Sequence, residues 1–494
     1  MLDDNNLPVV NTLCCMLASL LAAASTCDIY HHLETLCICY PGRITGSETL
    51  EKALVYLQEL GEGKLSLGTA RLQAVTCPHW VRGDANLEKL HVKIANSESV
   101  WPSPHPDERL MPVLANGCSI GTPEDAPAKG EIVIVHDTNM LHEKGIAEKL
   151  MGKIVVVDWQ TFITYGALSG PYRNNAASQA AKYGAIAVVI RSIAPNGSIG
   201  GLHTGSMWYD DDESIQKIPA CCLSAENTEL LTRLDKRGYQ LHGTLSLPCR
   251  ELPPRQSKNV IFDLPGSHSD PAIATSIVLI GAHSDSWECH NNECQGAHDD
   301  GQGIAVIMQV LHIIKKNYPN GCMRTVRVVL FVDEEVRQSG AKTYYDSLSE
   351  EEVASHYIVM ETDLGAGPVC GFGFSSVGCT DGGQEARNIV RSILEPMNDA
   401  ISEKGVVEIS KIDAAWEGWG VDTYPLCKAG IPGLLLRHED TWWNGAYFHH
   451  HHNSSDTIDH IDENLLILNL KSMLAATFLC ANSEKEIPRV IVNK

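Results

Sequence analysis

One repeated unit between residues 277 and 436 constrains this chain more than any other feature. It is a short unbroken apolar run, followed by a polar cluster, followed by a helical segment. Ile277-Val278-Leu279-Ile280 has no polar residue on either face, the pattern of a strand covered on both sides. Val326–Val332 (interrupted only by Arg327), Tyr357–Met360 and Gly433–Leu436 read as further strands, and Gly303–Lys315 has helical periodicity between the first two runs. This alternation predicts an α/β fold with a mainly parallel, doubly covered sheet. Sites in such sheets lie beyond the carboxyl ends of the strands.

Upstream the pattern differs. Residues 28–64 read as helical with a break at Tyr40-Pro41-Gly42, and Ser47 followed by Glu51 marks a helix start. From about Ala115 to Leu247 come short β-branched runs, Glu131–Val135, Lys153–Val157 and Ala185–Ile190, with one small-residue helix at Ala176–Tyr183. The expected organisation is a leader over 1–26, a first part of the main domain over 27–114, an inserted β-rich domain over 115–250, and the rest of the main domain over 251–494. Pro253, Pro254 and the polar residues to Lys258 read as the exit linker of the insert.

With a net charge of −23 and no compensating basic run, nucleic acid is excluded as a partner. Seventeen cysteines without a CxxC pair argue against a structural thiolate zinc site. Cys289 and Cys294 flank a short polar loop, either as a local disulfide or as two thiols on an exposed loop. Val9–Ala24 resembles the core and cleavage site of a signal peptide, with a partly buried first helix as the alternative. The signal reading places the protein in the secretory pathway, secreted or lysosomal. No membrane span is expected. Leu465–Cys480 comes nearest, but Asn469 and Lys471 interrupt it and it reads as an amphipathic helix.

Each predicted strand ends in groups that carry chemistry. They are His283-Ser284-Asp285, Gly296-Ala297-His298-Asp299-Asp300-Gly301 on the next loop, Asp333-Glu334-Glu335, Glu361-Thr362-Asp363, and His449–His452 followed by Asp456-Thr457. Taken singly, Asp-Asp-Gly is a turn and Glu-Glu a solvated helix start. The histidine run is not a tag, because it lies inside the chain. If the strands are parallel neighbours, all five clusters share one rim. Carboxylates crowded there stay ionised only with cations between them. Imidazole with carboxylate suits zinc holding an open position, and a free carboxylate beside a metal-activated water can take its proton.

These five clusters, in this order, resemble the co-catalytic zinc aminopeptidase family. The likeness runs from about residue 28 to the end and includes Tyr40–Ser47, Pro78–Gly83, Ser119–Pro123 and Leu202–Gly205. The resemblance implies that His283, Asp299, Glu335, Asp363 and His452 bind two zinc ions, with Asp299 bridging them. It leaves open which zinc Glu335 binds. Glu334 is implied as the general base that activates the zinc-bound water, and Asp285 as the carboxylate that orients His283. Asp422 corresponds to a position near the substrate's end. Family spacing before Asp-Thr selects His452, whereas counting from Phe448 selects His450. The β-rich insert resembles a protease-associated domain.

Implied by the likeness are hydrolysis of dipeptides or short peptides with free termini, and a homodimer. The rivals are an aminopeptidase or glutamate-selective carboxypeptidase on the same site, a catalytically inactive receptor-like relative, and a glutaminyl-cyclase-like transferase. Two departures from the family bear on substrate preference: extra residues between Asp285 and Asp299, and an altered Trp416–Gly420. Asn196-Gly197-Ser198 is a glycosylation acceptor; Asn453-Ser454-Ser455 also fits that pattern but adjoins His452.

Overall fold

In a computed structural model of the chain, the residues described are 7–95, 108–159, 173–193, 201–289, 294–375, 383–401, 412–416, 421–439 and 446–490. The glycosylation acceptor at Asn196 and most of Trp416–Gly420 lie outside them. Asn453 is described: it is buried and its amide is bonded to His449 O, so that second acceptor pattern is closed off.

Strand β1 (Arg71–Val81) leads into seven strands: β2 (Lys89–Ala95), β3 (Glu108–Ala115), β4 (Ala128–Val135), β5 (Ile154–Val157), β6 (Ala187–Arg191), β7 (Ala220–Leu223) and β8 (Gln240–Ser246). They close into a barrel in the order β2-β3-β7-β6-β5-β4-β8. The barrel therefore begins before the expected boundary at 115, since β2 and β3 belong to it. Their alternating pattern was masked by exposed residues such as Leu110.

The chain returns on β9 (Arg250–Leu264), antiparallel to β1. This segment is a strand and not the expected linker. Pro253 and Pro254 fall where the β1–β9 register shifts between Cys77 and His79, so the missing N–H groups interrupt a ladder already broken by a bulge.

The remaining strands are β10 (Ile277–His283), β11 (Thr325–Phe331), β12 (His356–Glu361), β13 (Val369–Ser375), β14 (Ile412–Trp416) and β15 (Gly433–His438). With β1 and β9 they form an 8-stranded sheet in the order β1-β9-β11-β10-β12-β15-β13-β14. The four central strands, β11-β10-β12-β15, are parallel. Strand β9 runs antiparallel to β11, and β13 antiparallel to β15. The sheet is thus mixed, with the expected parallel arrangement at its centre and again in the edge pair β13 and β14.

Along β10 and β11, alternate side chains enter separate cores. Val278, Ile280, Val328 and Leu330 join a large cluster with helices Glu48–Glu62, Gln302–Asn317 and Glu463–Ala481. Ile277, Leu279, Val329 and Phe331 pack with Ala341, Tyr344 and Leu426. Ser47 caps Glu48–Glu62 by accepting from Leu50 N at 3.1 Å.

Helix Glu463–Ala481 is buried on nearly every face, not amphipathic. Asn469 is tolerated because His438 and Gly367 O occupy its amide, at 2.8 and 2.9 Å. It is the one described helix long and apolar enough to cross a bilayer, and 78% of its apolar window is buried in the protein. Helix Leu7–Ala24 packs on it, placing Leu17, Leu20 and Leu21 in the main core.

Candidate metal centre

Parallel pairing of β10, β11 and β12 brings His283, the Asp333-Glu334-Glu335 turn and the Glu361-Thr362-Asp363 turn to one rim. Asp299 arrives on the loop before helix Gln302–Asn317, held by Asp456, whose carboxylate accepts from His298 N at 2.6 Å and Asp299 N at 3.2 Å. The Asp299–Asp300 peptide bond is cis.

His283 and His452 approach opposite oxygens of Asp299. His283 Nε2 is 3.2 Å from Oδ1 and 3.3 Å from Asp363 Oδ1. His452 Nε2 is 3.1 Å from Oδ2 and 2.9 Å from Glu335 Oε2. Asp299 therefore stands between a His283/Asp363 pair and a His452/Glu335 pair, with Glu335 nearest His452. His450 lies elsewhere: its Nδ1 is 3.0 Å from Ser455 O and its ring stacks on His298. His452 has a left-handed backbone, φ 54°, and Asp333, which starts the Glu-Glu turn, has φ 66°. Such conformations cost energy and gather at functional sites.

Tautomers follow from partners. His283 Nδ1 is 3.0 Å from Asp285 O, and His452 Nδ1 is 3.1 Å from Thr204 O. A carbonyl only accepts, so each Nδ1 carries a hydrogen and each Nε2 faces the cleft, where it would present a lone pair once deprotonated. This corrects the expected role of Asp285. Its main-chain carbonyl orients His283, while its carboxylate is 3.8 Å from that ring. The carboxylate instead accepts from Glu334 N at 3.1 Å, Glu335 N at 3.2 Å and Thr45 Oγ1 at 2.8 Å, fixing the Glu-Glu turn.

Titration follows from crowding. Burial pushes Asp363 up to about 8 against the pull of His283. Burial also raises Glu334 well above the usual range, with Asp363 and Glu335 adding to it. Burial alone would lower His452, but Glu335 and Asp299 hold it at about 9. Burial would likewise raise Asp299, yet His451, His283 and His452 hold it well below an ordinary carboxyl.

Asp422 is buried, and neither of its carboxylate oxygens has a hydrogen-bond partner among the described residues. Burial, then Glu361 and Glu334, push its carboxyl well up. Glu361 is occupied by Asp422 N, Thr423 N and Thr423 Oγ1 at 2.8–3.0 Å.

Sequence reasoning missed several contributors. Fully buried Arg43 ties Ser284 O, Gln295 O and Gly296 O together, joining the β10 end to the Asp299 loop. His203, on the barrel, reaches His451. Both lie in the strings that carried the family likeness, but nothing local reveals their long-range partners. Cys289 and Cys294 are free thiols, both buried, packed together with Leu114 rather than lying on an exposed loop.

The sequence pattern of Peptidase family M28 matches residues 259–477. A solved structure, the Peptidase M28 precursor from Shewanella amazonensis, superposes with a TM-score of 0.78 at 28% identity, covering 98% of this chain and 100% of that one. The chain belongs to peptidase family M28 and is a metallopeptidase by class. Among individual proteins it is similar to Carboxypeptidase Q of Homo sapiens, 30% identical over 464 residues, 93% of this chain and 86% of that protein. The zinc aminopeptidase BSAP from Bacillus subtilis shares the fold, with a TM-score of 0.62 at 19% identity over 94% of this chain and 97% of that one.

Proposed function

We propose that this protein is a two-zinc exopeptidase that hydrolyses dipeptides or short peptides beside a free terminus. One observation carries the reading: two histidines, each paired with a further carboxylate, meet opposite oxygens of a single aspartate.

The donors fit zinc. Two ligand atoms on one tetrahedral zinc, each about 2.0–2.1 Å from it, lie about 3.3 Å apart. The four spacings around Asp299 are 2.9–3.3 Å. Asp299 Oδ2 and Glu335 Oε1 are buried and accept no hydrogen bond from the described residues. His283, Asp299 and Asp363 would hold one ion; His452, Asp299 and Glu335 the other. Zinc there would polarise the scissile carbonyl and bring a coordinated water to a pKa of roughly 7.

The chain's own groups do the rest. Glu334 Oε1 accepts from Gln338 Nε2 at 2.8 Å, which fixes the carboxylate and leaves Oε2 to take the water's proton and return it to the leaving amine. Asp422, buried with two unpartnered oxygens, is suited to a substrate's free ammonium group, whose charge would draw the carboxyl back to its ionised form.

The barrel is proposed as a protease-associated-like insert, supported by its place between the paired strands β1 and β9. A homodimer and a secretory route complete the proposal. They rest on the family likeness and on the apolar Val9–Ala24 segment.

The test is zinc content together with a dipeptide panel, free, N-blocked and C-blocked. Two zinc ions per chain and chelator-sensitive cleavage of free dipeptides are expected. Cleavage of N-blocked substrates alone would move the enzyme to the carboxypeptidase rival, and of C-blocked ones alone to the aminopeptidase rival. Fewer than two zinc ions and no cleavage would leave an inactive relative.

A further inference from the structure

Beside the proposed ligand His452 sits a second imidazole that the ligand set does not use. His451 is buried, and its Nε2 lies 3.3 Å from Asp299 Oδ2. Its Nδ1 is 2.9 Å from Nε2 of His203, on the loop between β6 and β7 of the barrel. Its ring lies on that of His452, with centroids 3.6 Å apart and planes 16° from parallel. His203 in turn faces the His452 ring at 5.4 Å and 25°.

Geometry separates three roles for this group. Two imidazoles on one tetrahedral zinc diverge, which puts their centroids about 5 Å apart. At 3.6 Å, His451 and His452 are face to face and not co-ligands. The three histidines also form a group that could hold a metal of its own. Against that, the face-to-face stacking bars His451 and His452 from sharing one ion, and His203 meets His451 at 2.9 Å, the length of an N–H···N hydrogen bond. What remains is a plate. His451 covers one face of the ligand ring, and the hydrogen bond to His203 keeps that plate in place. The neighbouring Thr204 O takes the Nδ1 hydrogen of His452, and Thr204 N donates to His452 O at 3.1 Å. Residues 203 and 204 of the barrel thus grip two successive histidines of the main domain.

We propose that His451 and His203 are positioning residues for the His452/Glu335 zinc site, so that the barrel is a structural part of the metal centre. Stacking and the anchored hydrogen bond restrict ring rotation of His452, which otherwise sits at the end of a strained left-handed turn. This inference rests on the two-zinc reading above.

The experiment measures zinc by competition with a chromophoric chelator, on the full chain and on His203→Ala, His451→Phe and His451→Ala, with kcat and KM alongside. Wild type should bind two ions. In His451→Ala one of the two should weaken about 10–100-fold, as for loss of a group that orients a ligand. His451→Phe keeps the plate and should weaken it less. His203→Ala should weaken the same site, and adding it to His451→Ala should cost little more, because both act through one ring. In all three the loss should appear in kcat after zinc is restored to saturation by excess metal only to the extent that His452 remains misaligned, with KM nearly unchanged. Unaltered zinc affinity at both sites in His203→Ala and His451→Ala would overturn the inference. So would a third tight ion in wild type, which would make the triad a site in its own right, or complete loss of one ion in His451→Phe, which would make His451 a ligand. Wild type that binds no zinc would instead overturn the two-zinc reading itself.

Discussion

Replacing Glu334 by glutamine isolates the proton-transfer step from everything else at the rim. The change keeps size and shape. Gln338 Nε2, now 2.8 Å from Glu334 Oε1, can donate equally to an amide oxygen. In metal-stripped protein, burial and then Asp363 and Glu335 raise the Glu334 carboxyl against the pull of His283, so a neutral amide there adds no like-charge repulsion. Neither proposed ligand group includes Glu334, so two zinc ions should remain bound. What disappears is the base. General acid–base catalysis contributes typically 10²–10⁴-fold, and at about 1.36 kcal/mol per decade that raises the barrier by about 2.7–5.4 kcal/mol. The assay is kcat and KM on a free dipeptide, with zinc content and Tm on the same preparation. The loss should fall in kcat, because the carboxylate is needed in the transition state and not for substrate binding. More than a tenth of wild-type kcat with two zinc ions bound would remove Glu334 from the role.

Asp456→Ala should cut zinc affinity by about 10–100-fold, since its carboxylate holds the His298 and Asp299 amides; unchanged chelator competition would refute this. Arg82→Ala should cost about 3–5 kcal/mol in denaturant unfolding, because Glu88 and Glu288, at 3.1 and 2.6 Å, lose their buried partner. In metal-stripped protein, Asp333 and Asp456 at about 7 and Asp363 at about 8 are raised by burial, so the folded chain holds protons that the unfolded chain releases near pH 4. Their stabilisation is present below that pH and lost as pH rises to about 8. His298 and His438, lowered by burial to about 3 and about 4, act oppositely, but only below pH 6.5. The Tm of the stripped protein should therefore fall from pH 6.5 to 8, and zinc, which takes the place of the Asp363 proton, should raise Tm more at pH 8 than at pH 6.5. A zinc increment that shrinks with pH would contradict the assigned shifts.

The fold was legible where signals are local. Apolar runs at 277–280, 328–332 and 357–360 mark strands covered on both faces, and β10, β11 and β12 lie there. Polar clusters directly after such runs reach one rim once the strands run parallel, which is why the clusters at His283, Glu335 and Asp363 were legible, while their individual metal roles came from the family likeness. Strand β9 was not legible. Two prolines signal a linker locally, and only the bulge they form in β9, opposite Pro78 of β1, makes them acceptable in a ladder. Nor was burial of helix Glu463–Ala481, whose Asn469 is satisfied by His438 and Gly367, far away in the chain.

Chemistry of the rim is written in residue types and spacing, because imidazole and carboxylate side chains in that order have few other uses together. Orientation is not. Whether Asp285 turns its carbonyl or its carboxylate to His283, which of four consecutive histidines faces Asp299, and whether the barrel touches the site through His203 and Thr204 all depend on hydrogen bonds between segments up to 248 residues apart. Such contacts exist only after the backbone has closed, when each donor and acceptor taken from water must find a partner in place.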